Sequence, residues 1–141
     1  MLRQAPCSHV WKVVLSMLAV ISVIDDDAAV RDATDNLLSS LGYLVHTFAS
    51  AEEFLQSTHL QDSSCVVADV QMSGMSGLDL LLQMRAQGYN APVIFITAFP
   101  EETVRDRALK AGAIGFLAKP FGAPALIKCV ESALRRGGAG S

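Results

Sequence analysis

Cys65-Val-Val-Ala-Asp-Val-Gln-Met-Ser-Gly-Met-Ser-Gly-Leu-Asp-Leu-Leu-Leu-Gln-Met-Arg-Ala-Gln-Gly88 holds one complete structural unit. Cys65 to Ala68 is a short apolar run rich in β-branched residues, the signature of a strand buried on both faces. Asp69 follows it. After a polar loop, Gly77 to Gln87 carries leucines at 78, 80, 81 and 82 and stops at Gly88, as a helix does.

The same unit recurs on either side. Ala19 to Ile24, Tyr43 to Thr47, Pro92 to Ile96 and Ala113 to Leu117 are the other short apolar runs. Pro92 sits at a strand start, where a missing N–H does least harm. Ala28 to Leu41 has apolar residues at helical spacing and ends at Gly42. Ser50-Ala-Glu-Glu53 has the form of a capping box ahead of Phe54 and Leu55. Glu101 to Ala111 begins with acids and ends at Gly112, and Ala123 to Arg136 has Pro124 in its first turn. Strand and helix alternating five times predicts an α/β fold: a doubly wound five-stranded parallel sheet with helices on both faces. The order 2-1-3-4-5 is expected, with a ligand site beyond the carboxyl ends of the strands at the switch point.

Composition agrees with one globular domain. The chain has 141 residues, 51% of them hydrophobic and 18% charged. Aromatics are only 6%, so the core should be mostly aliphatic. A net charge of −3 argues against direct nucleic-acid binding by this chain. Cys7, Cys65 and Cys129 have no metal-ligand spacing, and Cys65 reads as a buried small hydrophobe. Free thiols suit a reducing compartment, hence the cytoplasm. The run from Val10 to Ile24 follows Arg3 and has the look of a signal-peptide core. It leads straight into Asp25-Asp26-Asp27 without a cleavage pattern, and it is short for a membrane span. No membrane association is therefore expected. Residues 1–17 read as an N-terminal extension, 18–136 as the domain and 137–141 as a flexible glycine-rich tail.

The polar residues collect on one rim. Asp25, Asp26 and Asp27 follow the first strand, Asp69 the third and Lys119 the fifth, while Thr97 closes the fourth. Carboxylates crowded together repel, and a hard divalent cation relieves that repulsion. One carboxylate can also act as nucleophile toward a phosphoryl group, with a hydroxyl and an ammonium holding the phosphoryl oxygens. Asp27 is expected to cap the following helix. Lys119 precedes Pro120, where a cis bond is expected.

Val23-Ile-Asp-Asp-Asp27, Val66-Val-Ala-Asp-Val-Gln-Met72, Gly77, Ile94-Phe-Ile-Thr-Ala98 and Ala111-Gly-Ala-Ile-Gly-Phe-Leu-Ala-Lys-Pro-Phe121 resemble the receiver domains of two-component response regulators. Met72-Ser-Gly-Met-Ser-Gly-Leu-Asp-Leu-Leu81 leans toward the FixJ-like branch. The resemblance covers residues 18 to 136. It implies that Asp69 is the phosphoacceptor, supplied by the phosphohistidine of a sensor histidine kinase. It implies Mg²⁺ bound by Asp26, Asp69 and the backbone carbonyl of Gln71, with Asp25 acting through a metal-bound water. Thr97 and Lys119 would contact the phosphoryl oxygens. Phe116 matches the aromatic switch position, which would reshape the face made by the fourth helix, fifth strand and fifth helix. Partner binding or a homodimer on phosphorylation would follow, and the downstream partner is left open.

Two positions depart from or qualify that pattern. Ser73 stands where proline is common, so the loop after Asp69 is expected to be looser. Phe99, with Gln71, flanks the path of a hydrolytic water, and its bulk is expected to slow loss of the acyl phosphate. Rival readings are a transcription factor without its DNA-binding half and a pseudo-receiver that never takes phosphate. The second would lack an acid or the lysine, and neither is lacking here. A metal-dependent phosphatase would need an acid at Gln71.

Overall fold

The computed structural model describes residues 19–139. The expected extension at 1–17 and the last residues of the expected tail lie outside the described residues. Five strands form: β1 (Val20–Ile24), β2 (Leu44–Phe48), β3 (Cys65–Asp69), β4 (Val93–Thr97) and β5 (Gly115–Ala118). Among the described residues, five helices alternate with them: α1 (Ala28–Ser40), α2 (Ala51–Leu55), α3 (Gly77–Ala86), α4 (Glu102–Lys110) and α5 (Ala123–Ala139). A single 3₁₀ turn, Thr58–Leu60, follows α2.

The sheet runs β2-β1-β3-β4-β5, and every neighbouring pair is parallel. Alternation along the strands sorts the core into two layers. Val66, Ala68, Val93 and Phe95 pack with Phe54 of α2, Leu80, Leu81 and Met84 of α3, and Ala108 of α4. Cys65, Val67, Ile94 and Ile96 pack with Leu38 of α1 and Leu126, Val130 and Ala133 of α5. Strands buried on both faces carry no polar stripe, which is why they read as continuous apolar runs. β3 and β4 are buried at every residue.

Helix ends follow the side chains expected to cap them. Asp27 accepts from the N–H groups of Ala29 and Val30 at 3.0 and 3.3 Å. Ser50 accepts from Glu53 N–H at 3.0 Å, and the Glu53 carboxylate accepts from Ala49 N–H at 3.2 Å. With 5 residues, α2 is too short to be stable alone, and its hold on the domain is the fully buried Phe54. No stop signal after Leu55 marks where this helix ends. Strand 2 starts one position later than expected because Tyr43 N–H turns back to Leu38 carbonyl at 3.3 Å. Helix α5 runs past the expected Arg136 to Ala139.

Two glycines mark close approaches. A Cβ on Gly77 would collide with the carbonyl oxygen of Asp69 and stand 3.0 Å from the Phe95 ring, so only glycine lets α3 start directly against the end of β3. A Cβ on Gly115 would stand 3.3 Å from both Cys129 Sγ and Ile94 Cγ2, so β5 and α5 meet almost backbone to side chain there. Cys65 is fully buried, and burial pushes its thiol up to about 12. Among the described residues, no helix is long and apolar enough to cross a membrane.

Beside the edge strand β2, the rings of His46 and His59 stack at 3.6 Å with 14° between planes. Asp62 Oδ2 lies 3.7 Å from His59 Nδ1. Burial, and then the charge of His59, hold the His46 pKa below its ordinary value, with Asp62 acting weakly the other way. The folded state therefore binds fewer protons at His46 than the unfolded chain does. That share of stability is present above about pH 6.5 and is lost as pH falls below it. Urea midpoints at about pH 7.5 and about pH 5.5 should differ less in His46→Gln than in the natural chain. Equal differences in the two chains would count against this account.

Candidate metal centre

Parallel strands put all their carboxyl ends on one rim, and the polar residues sit there. Asp25 directly follows β1 and is fully buried. Its N–H donates to the Phe48 carbonyl at 3.1 Å, and its Oδ1 accepts from Asp27 N–H at 2.9 Å. Its own carbonyl accepts from the Arg31 guanidinium at 2.6 Å. Asp69 is the last residue of β3, rather than the first beyond it, and is 5% exposed. Its Oδ1 accepts from Gln71 N–H at 3.0 Å. Asp26 is the exposed member of the group.

Lys119 arrives from the end of β5, across a cis bond to Pro120, with its N–H donating to the Thr97 carbonyl at 2.7 Å. Its ammonium donates to Asp69 Oδ2 at 2.8 Å. The same ammonium lies 2.9 Å from Asp25 Oδ2, a Coulombic contact without the alignment of a hydrogen bond, so that oxygen is buried with no aligned donor. Burial is the largest influence on Asp25 and, with the charge of Asp69, holds its carboxyl above the ordinary range. The Asp27 N–H and Lys119 oppose that rise. Burial also works against the charge on Lys119, but the hydrogen bond to Asp69 and the contact with Asp25 outweigh it and raise its pKa.

Asp25, Asp26 and Asp69 each offer a carboxylate oxygen within 4.8 Å of the others. Three acids against one ammonium leave excess negative charge at a partly buried point. A buried carboxylate oxygen without an aligned donor stands among them. A hard, oxygen-seeking divalent cation fits that donor set.

Of the remaining expected residues, Thr97, Gln71 and Phe99 lie at the same rim, while Phe116 sits within β5. Thr97 closes β4 and is fully buried, and its Oγ1 accepts from Phe99 N–H at 3.0 Å. Gln71 is exposed, two residues beyond Asp69. Phe116 is half-buried on β5, paired with Phe95 of β4. Phe99 is 62% exposed at the rim.

The loop after Asp69 differs from its expectation. Ser73 N–H donates to Asp26 Oδ2 at 3.2 Å, Met75 N–H to Glu52 Oε2 at 3.0 Å, and Gly77 N–H to the Val70 carbonyl at 2.9 Å. A serine at 73 supplies a backbone donor that proline lacks. These contacts escaped the sequence because a backbone N–H has no side-chain signature.

Removing the ammonium leaves Asp25 and Asp69 facing each other unscreened. Lys119→Met should cost about 3 kcal/mol in chelator. Mg²⁺ should then raise its Tm more than that of the natural chain. Thermal melts with and without the metal check both points, and an unshifted Lys119→Met melt would oppose them.

A model of the response regulator receiver domain matches residues 21–131. Nodulation protein W of Bradyrhizobium diazoefficiens is 40% identical over 121 residues, covering 86% of this chain and 53% of that protein. Transcriptional regulatory protein FixJ of the same organism is 41% identical over 116 residues, covering 82% of this chain and 57% of that protein. The crystal structure of FixJ-N superposes with a TM-score of 0.75 at 32% identity, covering 83% of this chain and 94% of that one. The chain spans about half the length of the curated relatives it matches. With its strand order and its rim of acids and lysine, the chain belongs to the response regulator receiver domains of two-component signalling.

Proposed function

We propose that Asp69 accepts a phosphoryl group from the phosphohistidine of a sensor histidine kinase, with Mg²⁺ held directly by Asp26, Asp69 and the backbone carbonyl of Gln71, and by Asp25 through a metal-bound water. The observation that carries this reading is the Lys119 ammonium lying against both Asp25 and Asp69. A carboxylate with a fixed cation beside it can bear the added charge of an acyl phosphate. A lone pair on Asp69 forms the bond to phosphorus while the phosphorus–nitrogen bond breaks, and the imidazole leaves with that electron pair. Bound, the metal neutralises charge on the phosphoryl oxygens. Lys119 stays paired with the acceptor. The Thr97 hydroxyl donates to a phosphoryl oxygen while still accepting from Phe99 N–H, since one hydroxyl can do both. Water later cleaves the acyl phosphate and restores the carboxylate. The domain thus acts chemically on itself, as a switch.

The donor needs a footing near Asp69. An apolar groove lined by Val30, Ala33 and Leu37 of α1 and by Pro120 and Phe121 runs up to Lys119, and supports docking of a kinase helix there. On the output side, engagement of Thr97 draws the neighbouring Phe116 inward and changes the α4-β5-α5 face. A second copy of the chain is the partner this reading puts on that face. The free thiols of Cys65 and Cys129 support a cytoplasmic setting. FixJ is a transcriptional regulator nearly twice as long as the matched region, so control of transcription through a further segment is a second reading.

Incubation with Mg²⁺ and acetyl phosphate should add one phosphoryl mass to the natural chain and none to Asp69→Asn. Chelator should abolish the gain. A gain in Asp69→Asn would move the acceptor elsewhere. Phe99→Ala should shorten the lifetime of the phosphorylated form, because the 62% exposed ring no longer screens the approach of water. An unchanged or longer lifetime would remove Phe99 from the account.

A further inference from the structure

Asp26 differs from the two acids beside it in how it is held. Asp25 and Asp69 each have one oxygen on a nearby backbone N–H and the other against Lys119. Asp26 is exposed, and its hydrogen bond comes from Ser73, 47 residues away in sequence. An exposed carboxylate beside two others is pushed toward water by like charge. A charge-assisted bond from a fixed N–H opposes that push.

We propose that the Ser73 backbone N–H is a positioning group that keeps Asp26 turned toward Asp25 and Asp69 for metal binding. The inference rests on reading these acids as Mg²⁺ ligands and deepens that reading.

The donor is aimed by its own loop. Gly74 has φ +79°, and a Cβ there would lie 2.7 Å from Glu52 Oε2. The same Glu52 oxygen takes Met75 N–H at 3.0 Å. Glu52, on α2, therefore holds the loop two residues beyond the one that bonds Asp26. The backbone between Asp69 and α3 is pinned at 75 and 77, and residue 73 faces Asp26. One N–H occupies one of about four acceptor positions on a carboxylate, so this grip does not block coordination. The serine hydroxyl has no part in it. Residue type at 73 matters through the backbone alone: proline has no N–H to give.

The test is Mg²⁺ titration of the 141-residue chain by calorimetry, without any phosphodonor. Ser73→Pro should weaken Mg²⁺ binding roughly threefold to tenfold, the scale of one ordinary net hydrogen bond at a solvent-exposed site. Ser73→Ala keeps the N–H and should bind as the natural chain does. In an Asp26→Ala background, Ser73→Pro should add little further loss. Undiminished binding in Ser73→Pro overturns the proposal, as does a full loss in Ser73→Ala or a loss that persists without Asp26. Undiminished binding in Asp26→Ala overturns the metal reading itself. A normal loss there with none in Ser73→Pro overturns only the role of Ser73. Should Ser73→Pro fail to fold, amide exchange decides. The Ser73 N–H should exchange faster in metal-free Asp26→Ala than in the natural chain, and equal rates overturn the inference.

Discussion

Two carboxylates separated by more than forty residues in sequence share one ammonium group. That shared contact sets the demands on everything around it. Asp25 and Asp69 are both buried, and burial holds the Asp25 carboxyl above its ordinary range, so a cation at hand matters there. Lys119 meets them only because β1 and β3 are adjacent, β5 is two strands further on, and all run the same way. Parallel strands make this possible with little extra machinery, because every strand delivers its last residue to the same rim. The backbone donors at Asp27 and Gln71 then fix one oxygen of each acid and leave the other turned toward the lysine. A residual excess of negative charge remains, and with it a reason for a divalent cation.

The fold was largely legible because buried parallel strands leave a strong mark. Cys65-Val-Val-Ala68 and Pro92-Val-Ile-Phe-Ile96 carry no polar stripe, and each was found to within one residue at either end. The edges were less clear. β2 has half-buried and exposed residues, so its pattern is diluted, and its start was placed early. The short α2 and the 3₁₀ turn after it had a readable beginning at Ser50 but no stop signal, since Phe54 and tertiary packing fix that segment more than local propensity does.

Side chains of the rim were legible for a different reason. Asp25, Asp69 and Lys119 are charged residues set at the ends of apolar runs, and that contrast is visible in one dimension. What could not be seen is how the groups are held. The Arg31 contact to the Asp25 carbonyl, the grip of Glu52 on Met75 and the bond from Ser73 to Asp26 all join a side chain to backbone. Absence of proline at 73 predicts loop freedom, yet the residue that stands there brings a backbone donor. Composition suggested slack where hydrogen bonding supplies restraint.

The meeting of Gly115 with Cys129 has a mechanical consequence. A Cβ at 115 would press on both the Cys129 sulfur and Ile94, so a larger residue there would wedge β5 away from α5. The missing side chain at 115 thus sets how closely the last strand seats against α5, a spacing that any larger residue would have to widen.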